Sequence, residues 1–100
     1  MVILRFKIRS KPEKSDELMA ALAEIIPPAR ATEGVINFDI ARLLIDPDEF
    51  IATAIYVDGP ALERQESLPQ VHRVMAMFPE SLAAAPERTI FDASIDPTLV

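Results

Sequence analysis

Residues 35–57 read VINFDIARLLIDPDEFIATAIYV. Two β-rich runs, Val35 to Leu43 and Phe50 to Val57, are separated by Asp46-Pro47-Asp48. β-branched and aromatic side chains suit a half-buried pleated surface, whereas Asp-Pro-Asp is turn chemistry, so the stretch is expected to be a β-hairpin. With a side-chain period of two, Phe50, Ala52, Ala54 and Tyr56 share one face of the second strand, and Ile51, Ile55 and Val57 share the other. In the first strand the same alternation sets Ile36, Phe38 and Ile40 against Val35 and Ala41. Both faces of the hairpin are therefore apolar.

Working outward toward the N-terminus, Gly34 offers a turn. Before it, Leu18, Met19, Leu22, Ile25 and Ile26 recur at three-to-four spacing, the stripe of an amphipathic helix. Ser15 is a natural N-cap for that helix, Asp16 and Glu17 suit its first turn, and Pro27-Pro28 are expected to end or kink it near Ile26. Lys11-Pro12-Glu13-Lys14 separates it from strand one, residues 2–10, where Val2, Leu4, Phe6 and Ile8 alternate with Ile3, Arg5, Lys7 and Arg9.

Toward the C-terminus, Asp58-Gly59-Pro60 stops the hairpin and opens a short helix from Ala61 to about Glu66. Pro69 starts another helical stretch, with Val71, Val74, Met75 and Phe78 at helical spacing up to Pro79. A further turn or helical segment is expected around Glu80 to Ala85. Arg88 to Ile95 then alternates as strand four, and Asp96-Pro97 ends it. The order is β-α-β-β-α-β, so the fold class is α+β: a ferredoxin-like, four-stranded antiparallel sheet with helices on one face. Residues 1–96 are expected to form one domain and 97–100 a short tail.

The chain has 100 residues, half of them hydrophobic, which suffices for one core. It has no cysteine, which excludes disulfides and thiolate chemistry, and only Gly34 and Gly59, which leaves no glycine-rich phosphate loop. No Gly-x-Ser-x-Gly supports a serine hydrolase. Ten basic against sixteen acidic residues give a net charge of −6, which repels nucleic-acid phosphates and anionic lipid. No nucleic-acid or membrane partner is expected, and a cytoplasmic location is.

Several short pieces, in this order and at this spacing, resemble the antibiotic biosynthesis monooxygenase (ABM) family. They are Lys11-Pro12-Glu13-Lys14, Arg30-Ala31-Thr32-Glu33-Gly34, Asp46-Pro47-Asp48-Glu49-Phe50, Tyr56-Val57-Asp58 with Ala61-Leu62, and Phe78-Pro79-Glu80. The resemblance covers nearly the whole chain. It implies a dimeric α+β barrel, a homodimer of the quinol-monooxygenase-like kind, and for some members cofactor-independent oxygenation of a phenolic, quinol or polyketide-like substrate. Where members often carry Trp after an acidic residue on strand three, this chain has Tyr56 after Ala54. Gln65 and Gln70 stand where one or two His are often found, and the absence of Trp sets the haem-degrading branch aside.

Three residues are candidates for chemistry, each beside a plainer reading. His72, the single histidine, could act as a general base, or could simply edge the apolar stripe of its helix. Tyr56, the single tyrosine, is expected to border a cavity between sheet and helices and could donate to a substrate oxygen there, or could simply be closely packed; its hydroxyl is expected to be removable at little cost in stability. Asn37 could orient a substrate oxygen, or could face solvent or a partner subunit, a strand bulge reversing its side. Ala52 and Ala54 leave space for a ligand beside Phe78, although large helix side chains could fill that space. Arg5, Lys7 and Arg9 form a basic row that resembles an anion site but is expected to be a solvated or subunit-facing row paired with acids such as Asp39. Met19, Met75 and Met77 are expected to pack in the core.

The function expected is oxidation of a small aromatic, quinol-type or enolisable molecule by a monooxygenase that uses no haem, flavin or metal. The alternatives are an isomerase or lyase of the same fold, or a non-catalytic protein that binds a small hydrophobic ligand. A homodimer packed through sheet faces is expected, because helices can cover only one apolar face.

Overall fold

The computed structural model describes residues 1–94. Strand β1 (Val2–Arg9) leads through a 3-10 turn at Pro12–Lys14 into helix α1 (Ser15–Arg30), followed by β2 (Val35–Arg42) and β3 (Glu49–Tyr56). Helices α2 (Gly59–Glu66) and α3 (Pro69–Ser81) precede β4 (Glu87–Asp92). The four strands form one antiparallel sheet in the order β2-β3-β1-β4, the ferredoxin-like α+β arrangement. Ile95, Asp96-Pro97 and the tail at 97–100 lie outside the described residues.

The period-two pattern of β1 and β3 translates directly into burial. Leu4 and Ile8 of β1 and Phe50, Ala54 and Tyr56 of β3 face the helices and are buried with Leu18, Leu22 and Ile25 of α1. In β2 a bulge changes the expected facing. The register steps from Val35 opposite Tyr56 to Asn37 opposite Ile55, so Val35 packs against the core and Ile36 is 50% exposed. One extra residue thus separates Ile36 from the face of Phe38 and Ile40.

Two helix ends differ from expectation, both at proline. Helix α1 does not stop near Ile26 but passes through Pro27 and Pro28 to Arg30. Each proline removes one amide donor, and burial, one local bond and a tertiary bond to β2 offset the loss. Ala29 is fully buried, the Ala31 amide donates to the Pro27 carbonyl at 3.1 Å, and Arg30 Nε donates to the Phe38 carbonyl at 3.0 Å. In α3 the helix likewise continues past Pro79 to Ser81, whose carbonyl accepts the Lys11 amide at 2.8 Å. The separate segment expected at Glu80 to Ala85 is instead this last turn followed by an isolated bridge between Ser10 and Leu82.

At the other end of α1, Ser15 is not the N-cap. The 3-10 turn makes Lys14 the flanking residue, and the Ser15 hydroxyl donates to Asp48 Oδ1 at 2.6 Å, tying the helix start to the hairpin loop. The N-cap of α2 is Asp58, which accepts from the Ala61 amide at 2.9 Å. Gly34 turns the chain into β2 at φ +87°.

On the sheet face away from the helices, two of the three basic side chains of β1 pair with acids of the hairpin, and the exposed Arg5 does not. Lys7 pairs with Glu49 at 3.2 Å and Arg9 with Asp46, whereas Asp39 pairs with Arg30 at 2.9 Å and not with the row. Met19 and Met75, expected in the core, are 42% and 54% exposed at the outer edge of the helix layer, while Met77 packs partly against the core.

Candidate functional site

A cavity of about 130 Å³ opens between the inner face of the sheet and helices α1 and α3. Its cause lies in the β3 sequence. Ala52 stands between Phe6 of β1 and Ile40 of β2, so one methyl group sits where its neighbours are large. Leu22 of α1 and Val71, Val74 and Phe78 of α3 close the other walls, with Phe78 stacked on Phe6 at 6.1 Å between ring centroids. The exposed Met75 stands at the rim.

The walls are apolar except at one end, where Gln65, Glu66 and Arg88 line the space. Arg88 reaches it from β4, opposite Phe6 of β1, and donates to both Glu66 oxygens at 2.7 and 3.3 Å. Gln65 is only 3% exposed, and its Oε1 accepts the Tyr56 hydroxyl at 2.5 Å. Burial pushes the Tyr56 phenol well above its ordinary value; the Glu66 charge adds to the rise and Arg88 opposes it. Tyr56 is thus a neutral donor at any physiological pH.

The residues singled out from sequence are dispersed around this cavity. Ala52 and Phe78 line it; Ala54, fully buried, does not. Tyr56 has no exposed surface and reaches the cavity only through Gln65. His72 is exposed on α3 outside the lining. Asn37 lies on the sheet face away from the helices, where its Nδ2 donates to Asp39 at 2.9 Å. Of the two glutamines matched to His positions, Gln65 enters the cavity and Gln70 does not.

Of the polar end only Gln65 was noted from the sequence, as the residue standing where a His is often found. For Gln65 a signal existed: it falls three and four residues after Leu62 and Ala61, on the buried face of α2. Glu66 and Arg88 had none, since each reads as an ordinary charge at the end of its element. Among the described residues no group of three or more His, Asp or Glu side chains could hold a metal ion, and no helix is long and apolar enough to cross a membrane.

The sequence model of the antibiotic biosynthesis monooxygenases matches residues 1–77. The chain belongs to the ABM family. A solved antibiotic biosynthesis monooxygenase superposes with a TM-score of 0.86 at 18% identity, over 95% of this chain and 100% of that one. A Mycobacterium tuberculosis protein of solved structure gives 0.86 at 21% identity, over 96% and 97%. An uncharacterised Synechocystis protein is 24% identical over 98 residues, covering 98% of this chain and 67% of its own length. At these identities the structural likeness carries the ABM fold and leaves the substrate to be argued from the cavity.

Proposed function

We propose that this ABM family member is a monooxygenase that oxidises a small aromatic, quinol-type or otherwise enolisable molecule without a cofactor, as a homodimer. The observation that carries the reading is the cavity itself: an apolar slot with polar groups gathered at one end, among them Glu66, the only carboxylate that the described residues bring to its lining. In this scheme the ring lies between Phe78 and the Ala52 floor, and its hydroxyl or acidic C–H points to the polar end. Glu66 accepts the proton, and Arg88 keeps a positive charge beside the anion that forms. The electron-rich anion then reacts with dioxygen. With no Cys, one His and two Gly in the chain, the substrate carries the redox chemistry.

An isomerase or lyase would use the same proton abstraction, and oxygen consumption separates the two. Measured by electrode in metal-chelated buffer across a panel of single-ring and two-ring quinols, protein-dependent uptake that saturates with substrate is expected. Uptake at the buffer rate with every quinol, or turnover of a substrate without oxygen loss, would defeat the oxygenase reading.

A further inference from the structure

Tyr56 and Gln65 form a buried pair that the proton-transfer scheme leaves unused. The hydroxyl donates to Oε1; a neutral phenol could also accept from the amide, but only Oε1 takes up its one proton, for which the described residues supply no other acceptor. That bond fixes which end of the amide meets the core. The other end, Nε2, makes no hydrogen bond among the described residues, and Gln65 lines the cavity. An amide nitrogen has two protons to give and nothing to accept with. Nε2 is not sealed in the core but open to the slot, where an acceptor on a ligand would take the place of water.

We infer that Gln65 is a specificity-determining donor, oriented by Tyr56 as a positioning residue, which selects ligands presenting a carbonyl or phenolate oxygen. The inference rests on the proposed function only in placing the substrate in this cavity, and it names the substrate's chemistry there. A cavity of about 130 Å³ is close to the engineered one of about 150 Å³ that holds benzene, so the ligand is one ring carrying that oxygen. Arg88 is the rival source of donors at the same end, but its Nε and one terminal nitrogen are already committed to Glu66.

The test uses two probes of one shape, acetophenone, which has an acceptor and no donor, and α-methylstyrene, which has neither. Side-chain amide resonances of ¹⁵N-labelled protein are followed during titration, with Gln65 assigned through Gln65→Met. Wild type is expected to bind acetophenone about 5-fold more tightly, the worth of one neutral hydrogen bond, and to shift the Gln65 Nε2 signals with acetophenone alone. Tyr56→Phe frees the amide to turn over. It should cut the preference to below about 2-fold while leaving α-methylstyrene affinity unchanged, a split that a merely structural role for Tyr56 would not produce. Should Gln65→Met fail to fold, assignment by sequential spectroscopy and the Tyr56→Phe comparison still decide the matter. Equal binding of the two probes, no saturable binding of either, or a preference that survives both substitutions would overturn the inference. Loss of oxygen uptake on quinols, by contrast, leaves the acetophenone preference intact, so the two readings fail separately.

Discussion

Removing the Tyr56 hydroxyl leaves whichever end of the Gln65 amide faces the core without a partner, where water cannot replace the lost hydroxyl. The sequence suggested that Tyr56→Phe would cost little. The buried bond raises the expected cost to about 1–2 kcal/mol, measurable as a lower urea midpoint with an unchanged slope. A second expectation concerns pH. The phenol of the folded chain titrates above the ordinary value of 10.0, so above pH 10 the unfolded chain has released a proton that the native chain still holds. Stability from this group is complete below pH 10 and declines as pH rises beyond it. Wild type should therefore lose stability more steeply than Tyr56→Phe between pH 9 and 11, and parallel curves would show that the buried phenol is not the cause. Gln65 was accessible to sequence reasoning as a polar residue within an apolar stripe. The Glu66–Arg88 pair was not, because the two side chains are 22 positions apart and meet only once β4 lies beside β1.

At the scale of elements, periodicity located every strand and helix but misplaced their ends. The errors cluster at proline because local propensity is the quantity a sequence displays, whereas the bonds that carry α1 past Pro27-Pro28 come from β2. Arg30→Ala is accordingly expected to fray the last turn of α1, speeding exchange of the Ala31 amide well before global unfolding, with a stability loss of about 1 kcal/mol. Undiminished protection at Ala31 would mean that the turn holds itself. A bulge at Asn37 was open as a possibility but could not be decided, since a single extra residue leaves no mark on composition. Gly34 shows the opposite case, a position whose sequence reading as a turn understated its constraint. At φ +87° a Cβ would lie 2.6 Å from that of the buried Ala61. Gly34→Ala should cost about 2 kcal/mol or more in chemical denaturation, the strain and the collision adding.

For the whole molecule, the helices cover one sheet face and leave two features uncovered. Ile3, Ile51, Ile55 and Phe91 lie on the opposite face, and every residue of β4 is exposed, Ile90 on the helix side included. A second copy packed through sheet faces would cover the first set, and light scattering at micromolar concentration is expected to give about twice the 11.1 kDa chain mass. A clean monomer would remove the dimer from the account. The central claim is that oxidation takes place in the slot above Ala52. It is tested most directly by oxygen uptake from a saturating quinol with wild type and with Ala52→Leu, whose added carbons fill the cavity floor, both verified as folded by circular dichroism. The account predicts saturable uptake by wild type and a loss of at least about tenfold in the filled variant, in line with the sensitivity of rate to small displacements of a bound reactant. Uptake by folded Ala52→Leu equal to that of wild type would contradict it.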